Sequence, residues 1–182
     1  IDLNIFHEVI DVDTEAKKLT VKNLTTGEEF VDTYDKLMIA SGASSIIPPI
    51  KNVNIENVST LKSMADGIKV KELMNKEEIK NVAIIGAGFI GLEAVEAAKK
   101  LGKNVVVFQL EDRILPQVFD KEVTDILEEE IRKHDVDLRL EEIVGELVGE
   151  TKVEKVITNK GEYDADLVIV ATGVTFSFTR IA

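Results

Sequence analysis

Residues 82–93 read Val-Ala-Ile-Ile-Gly-Ala-Gly-Phe-Ile-Gly-Leu-Glu, and they constrain the fold more than any other stretch. An apolar run at 82–85 meets Gly86, Gly88 and Gly91 at G-x-G-x-x-G spacing. Behind the glycines, Ile90, Ala94, Ala97, Ala98 and Leu101 recur on one face of a helix. Strand, tight turn and helix in this order are the context in which the motif points to a dinucleotide. Gly86 allows the turn, Gly88 lets a pyrophosphate approach the backbone, and Gly91 lets the helix pack on the strand. The first N–H groups of the helix then face the anion, with the helix dipole behind them. The alternative is a glycine turn that holds nothing.

The segments after the motif continue an α/β pattern. Gly102 and Asn104 close a helix over 89–101, and 105–108 is the next buried strand. Pro116 interrupts a loop. Asp120 is placed to cap a second helix with Val123, Ile126, Leu127 and Ile131 inward, and Arg132, Lys133 and His134 at its end suit the dipole. Strands are expected at 136–140, 143–148, 153–158 and 162–164, and a final buried strand at 167–171 leads to Thr172-Gly173. Upstream, Leu3, Ile5, Val9, Ile10, Leu19 and Val21 with the turn Thr25-Thr26-Gly27 read as a β-meander. Residues 36–40 then read as a short buried strand. Pro48-Pro49 marks a boundary, and 50–80 a connector with a helix capped by Thr60, carrying Leu61, Met64, Ala65 and Ile68 on one face, weakened at Gly67 and continuing with a shifted face at Val70, Leu73 and Met74.

The rest of the composition works mainly by exclusion. A net charge of −12 argues against nucleic acid and anionic membrane as partners. No apolar run approaches the roughly 20 residues that span a bilayer, and no basic-then-apolar leader opens the chain, so the default location is the cytoplasm. Without cysteine there is no disulfide, thiolate nucleophile or Cys-ligated metal. His7 and His134 have no metal-ligand spacing, and Glu141-Glu142 has no partner base or nucleophile, so no hydrolytic role is assigned. Glu128-Glu129-Glu130 reads as a solvated helix face.

A hairpin followed by an apolar strand occurs twice. The first copy runs from Lys22 through Gly27 to Asp35 and Gly42, the second from Ile157 through Gly161 to Asp166 and Gly173, with the same Asp-to-Gly spacing. In the second copy the strand–turn–helix half lies 87 residues before the terminal glycine. The same distance counted back from Gly42 falls before residue 1. The expectation is a piece of a longer protein, holding the end of one nucleotide-binding domain and nearly all of another.

The chain resembles the flavoprotein disulfide reductases with two dinucleotide-binding domains (the pyridine nucleotide-disulfide oxidoreductase family), and most closely the branch of coenzyme A-disulfide reductases and NADH oxidases. The resemblance covers almost the whole chain. It rests on residues 34–43 with Pro48-Pro49, on Gly86 to Glu93, on Arg113-Ile114-Leu115-Pro116, and on Asp166 to Gly173. It implies an α/β fold: a Rossmann-type domain with a parallel sheet and a β-meander, plus part of a second similar domain. Residues 1–49 would be the end of an FAD-binding domain, 50–80 a connector, and 81–182 the NAD(P)H-binding domain. The parent would pass hydride from NADH to FAD, and on to a disulfide or oxygen, as a homodimer. The isolated chain, lacking flavin site and redox cysteine, would not turn over. Rival readings are a non-catalytic dinucleotide-sensing module, a methyltransferase and a purely structural α/β domain.

The implied cofactor-binding residues are Gly86, Gly88, Phe89, Ile90, Gly91, Glu93, Gln109 and Gly173. No catalytic residue and no metal ligand is assigned within the chain. Phe89 and Ile90 would lie along the pyrophosphate and ribose, Glu93 beside the nicotinamide end, and Gly173 against a ribose. The family usually places Glu or Asp at the position of Gln109, to accept the adenosine ribose hydroxyls. A neutral amide can still bond a hydroxyl, without the charge-assisted strength of a carboxylate. Glu111 and Asp112 would repel a 2′-phosphate and Arg113 stands alone, which favours NADH over NADPH. After Gly173 the sequence Val174-Thr175-Phe176-Ser177 departs from the family's usual basic residue, Pro and Asn.

Overall fold

The computed structural model describes residues 2–176; Ile1 and 177–182, Ser177 of the closing departure among them, lie outside the described residues. The described chain forms two compact units, 2–44 with Phe176, and Ser45–Thr175.

The first unit contains the meander. Strands β1 (His7–Asp13), β2 (Lys18–Asn23) and β3 (Glu29–Thr33) form an antiparallel sheet in that order, with Val21 of the central strand buried. The Asn23 side chain builds the β2–β3 turn: its Oδ1 accepts the N–H groups of Thr25 (2.9 Å) and Thr26 (3.2 Å). The buried strand expected over 36–40 does not form. These residues have no regular structure, and Met38 is 89% exposed. An apolar run becomes a buried strand only where neighbours take its N–H and C=O groups, and no described strand pairs with it. A short strand, β4 (Ala43–Ser45), follows.

The second unit runs through β5 (Val58–Thr60), α1 (Met64–Met74), β6 (Asn81–Ile85), α2 (Phe89–Lys100), β7 (Asn104–Phe108), α3 (Lys121–Lys133) and β8 (Val136–Arg139). It continues through β9 (Val144–Val148), β10 (Lys155–Thr158), β11 (Glu162–Asp164) and β12 (Leu167–Val170), and a last strand, β13 (Val174–Phe176), ends on the residue that belongs to the first unit. Five strands form a parallel sheet in the order β5-β12-β6-β7-β8, and β9–β11 form an antiparallel sheet. The parallel sheet is covered on both faces, which is why 82–85 and 167–170 are apolar without alternation. Alternate residues still divide between the faces. Val82, Ile84 and Ile169 pack with Val70, Leu73, Ala94 and Ala98 of the helices. Ala83, Ile85, Val168 and Val170 pack with Leu147 and Val156 of the antiparallel layer.

Asp166 locks one end of this sheet. Its Oδ2 accepts the N–H groups of Lys80 (2.9 Å) and Asn81 (2.8 Å), and its carbonyl accepts Asn57 Nδ2 (3.1 Å). The 50–80 segment, expected as a connector, thus supplies an edge strand as well as a helix.

Three helices differ in part from the faces that the sequence predicts. Thr60 ends β5, and the cap of α1 is Ser63, whose Oγ accepts Asp66 N–H (3.2 Å) while Asp66 Oδ2 accepts Ser63 N–H (2.9 Å). With this capping box Val70, Leu73 and Met74 turn inward, the shifted face expected for the later part of the helix, while Met64 and Ile68 are exposed. In α2 the close approach of Gly91 to the glycine turn directs Gly91, Ala94, Val95 and Ala98 inward, so Ile90, Ala97 and Leu101 face out. Thr124 is the buried residue of α3, with Leu127 and Ile131 partly buried and Val123 and Ile126 exposed. Glu128 Oε1 accepts Ile114 N–H (3.1 Å) and pins that face to the loop before it; only Glu129 and Glu130 of the acidic run are fully solvated. Asp120 stands at the N-cap of α3 without a side-chain cap bond.

The α1 cap gives a testable pH dependence. Hydrogen bonds from the Ser63 and Lys62 backbone hold the Asp66 carboxyl below its ordinary value. A lowered folded-state value contributes stability above the ordinary carboxylate pKa, lost as pH falls through the folded value. Asp66→Ala is expected to cost about 1 kcal/mol in denaturant unfolding at pH 7, with a smaller cost as pH falls below the ordinary carboxylate range. An equal cost at pH 7 and below that range would separate the Asp66 charge from the cap.

Candidate functional site

The site is built where β6 ends. Gly86 has φ +104°, a conformation that L residues rarely adopt, and its N–H donates to Phe108 O (2.8 Å). A Cβ at Gly86 would lie 2.5 Å from Ala171 O, so the turn also nests against the end of β12. Gly88 is the N-cap of α2 in extended conformation, with no side-chain cap bond, and a Cβ there would meet nothing within 4 Å. The first-turn amides of α2 have no intrahelical acceptors. A Cβ at Gly91 would overlap the Gly86 carbonyl oxygen. One glycine is required by backbone conformation, one leaves open space, and one allows close packing.

A cavity of about 620 Å³ opens at the carboxyl ends of β6, β7 and β12, the usual ligand crevice of a parallel α/β sheet. Of the residues expected to bind cofactor, Gly86, Gly88, Phe89, Ile90, Gln109 and Gly173 all line it. Gly91 acts from behind by letting α2 approach. Glu93 lies beyond the first turn on the exposed side of α2, outside the cavity lining. Gly173 has φ +113°, and its carbonyl accepts Ile46 N–H (3.0 Å), while Thr172 Oγ1 donates to Ile46 O (2.8 Å). Ile46, Pro48, Ile50, Leu115 and Pro116 make the wall largely apolar.

Gln109 is 7% exposed, not at a solvated strand end. Its Oε1 accepts Ala87 N–H (2.7 Å), and its Nε2 donates to Glu111 Oε2 (2.6 Å) and Arg113 O (3.4 Å). Arg113 is turned to its own loop, with Nη2 donating to Pro116 O (3.1 Å), and it does not line the cavity.

Two carboxylates outside the expected cofactor-binding set also line it: Glu111, which the sequence marks as repelling a 2′-phosphate, and Glu142, to which it gives no role in the site. Glu142 is buried, and its Oε1 accepts the Thr158 hydroxyl (2.5 Å). Beyond it the Tyr163 ring meets Phe108 edge-on at 4.9 Å, under the Arg139 guanidinium. Burial, with the nearby Glu142, raises the Tyr163 phenol above its usual value. Glu111, two residues past Gln109, is legible in the chain as a charge against a 2′-phosphate. Glu142 reaches the cavity through the fold, its N–H donating to Gln109 O (3.0 Å). Among the described residues no group of three or more His, Cys, Asp or Glu could hold a metal ion, and no helix is long and apolar enough to cross a membrane.

An open backbone at Gly88, uncapped helix amides and a long apolar crevice with a few polar groups suit a dinucleotide: the amides meet its pyrophosphate and the walls its rings. The family model for pyridine nucleotide-disulphide oxidoreductase matches residues 1–179. An NAD(P)H coenzyme A polysulfide/persulfide reductase of Pyrococcus horikoshii is 47% identical over 96% of the chain, and an NADH oxidase of Streptococcus pyogenes 39% identical over 91%. In each case the chain spans 38% of the relative's length. The solved structure of a water-forming NADH oxidase from Lactobacillus brevis bound to NADH superposes with a TM-score of 0.82 at 32% identity, over 96% of this chain and 38% of that one. With the family match running over nearly its whole length, and with relatives 39% and 47% identical over most of it, the chain belongs to the pyridine nucleotide-disulphide oxidoreductase family.

Proposed function

We propose that this chain is the NADH-binding portion of a flavin-dependent oxidoreductase. In the whole protein it positions NADH for hydride transfer to FAD, from which electrons pass to a disulfide or to oxygen. The observation that carries the reading is the open backbone of Gly88 at the uncapped start of α2, set in the mouth of the cavity. NADH, when bound, supplies the hydride. The α2 amides hold its pyrophosphate, Gly86 and Gly91 keep those amides in place, and Phe89 and Ile90 flank the path. Gln109 braces the adenosine-ribose end through Ala87 and Glu111, Gly173 gives a ribose room at the end of β12, and Glu93, on α2 outside the cavity lining, is read toward the nicotinamide end of the bound cofactor. Residues 2–44 are read as the end of the FAD-binding domain, with Ser45–Thr175 as the NADH domain. The whole protein is read as a cytoplasmic homodimer with no nucleic-acid or membrane partner, in keeping with the net charge of −12.

Calorimetric titration of the chain with NADH, NADPH, FAD and S-adenosylmethionine tests this. The expected result is NADH binding, weaker NADPH binding, and no response to the other two. Binding of S-adenosylmethionine alone would overturn it.

A further inference from the structure

We propose that Glu111, held in place by Gln109, is the ribose-hydroxyl acceptor of this site and sets its preference for NADH over a 2′-phosphorylated dinucleotide. The inference rests on the dinucleotide reading above and deepens it.

The orientation of the Gln109 amide follows from its partners. Ala87 N–H can only donate, so the atom facing it at 2.7 Å is the amide oxygen. The amide nitrogen must then face Glu111 Oε2 at 2.6 Å and Arg113 O at 3.4 Å. Both N–H groups and one oxygen lone pair are committed to the protein, and the side chain is buried. Gln109 is therefore a strut between the glycine turn and the loop after β7, a poor hydroxyl partner but a strong positioning residue. Glu111 is what it positions: an exposed carboxylate on the cavity wall. One Glu111 oxygen takes the Gln109 donor, and the other has no donor among the described residues. The Glu111 backbone is held too, its carbonyl accepting Glu141 N–H (3.0 Å).

This pairing makes sense of an amide at position 109. A carboxylate there could still accept Ala87 N–H, but it could not donate to Glu111, and two like charges would face each other. With an amide at 109, the negative charge moves two residues along the loop. A 2′-phosphate beside Glu111 would meet like charge, and Arg113 is turned away toward Pro116 O.

The test is calorimetric titration of the full chain with NADH and with NADPH, for wild type, Glu111→Gln, Gln109→Leu and the double variant, with melting temperatures alongside. Glu111→Gln is expected to weaken NADH about tenfold, the scale of one charge-assisted hydrogen bond, and to narrow the NADH-to-NADPH ratio by at least that factor. Gln109→Leu should produce the same narrowing without touching the ribose, and the double variant should be no weaker than Glu111→Gln alone. Because Gln109→Leu also strands Ala87 N–H and can unfold, Glu111→Gln decides. An unchanged NADH-to-NADPH ratio in Glu111→Gln overturns the inference. If Gly88→Val abolishes NADH binding in the same series, the dinucleotide site stands without it; if wild type binds no NADH, the functional reading fails and this inference with it.

Discussion

Gly88→Val is expected to abolish NADH binding while leaving the fold intact. The backbone at Gly88 is extended, with φ −83° and ψ −176°, which suits a β-branched residue. A Cβ at this position meets no atom within 4 Å. The stability cost should therefore stay within about 1 kcal/mol, most of it from replacing glycine at a helix N-cap. The new side chain would stand where the pyrophosphate must reach the α2 amides. We expect affinity to fall at least ~100-fold, on the scale of several lost anion–amide hydrogen bonds. Calorimetry on a variant with a near wild-type melting curve is the check. Undiminished NADH affinity would remove the glycine turn from the site.

Gly86→Ala should do the opposite and fail in the fold itself. The φ of +104° imposes a strain of about 1–3 kcal/mol on an L residue. The added Cβ would also lie 2.5 Å from Ala171 O and 2.9 Å from Ala171 C, which are backbone atoms at the end of a central strand and cannot rotate aside. Forcing them apart adds a comparable overpacking cost, for a total of about 4 kcal/mol. For a chain of this size that corresponds to a fall in Tm of about 10 °C. A Tm within two degrees of wild type would mean that the turn tolerates a side chain. The pair of variants separates two uses of glycine within one motif: a conformation no other residue adopts cheaply, and a space no side chain should enter.

The strand–turn–helix unit was legible because its signals are local and agree with one another. An apolar run, a fixed glycine spacing and a helical face leave one arrangement, and 82–101 folds as β6, the turn and α2 nearly as read. The strands of the antiparallel layer were readable for the same reason. Helix phase was harder. Ile90, Val123 and Ile126 look inward by hydrophobicity, yet the phase is set by contacts outside each helix: Gly91 on the Gly86 carbonyl, Glu128 on Ile114 N–H. The 36–40 segment has the composition of a buried strand, but burial is a property of neighbours, and no described strand pairs with it. β5 was hidden in a polar connector because an edge strand of three residues carries little pattern. In the site, glycine spacing located the crevice, whereas the commitment of Gln109 to Ala87 and Glu111 depends on a hydrogen-bond direction that no spacing encodes.

The position of β12 bears on how the chain reaches this fold. It is made late, yet it lies inside the parallel sheet, second from its edge, paired with β5 on one side and β6 on the other. Asp166 ties it to Lys80 and Asn81, some 85 positions earlier. Strands β6, β7 and β8 can associate as soon as they are synthesised, but until residue 170 is available the inner edge of β6 has no partner. Closing so long a loop is entropically slow. A nascent chain or truncated product ending before Asp166 therefore presents an open, apolar strand edge, the kind of surface that recruits chaperones or pairs with another chain. Final assembly of the sheet waits on its most C-terminal parallel strand.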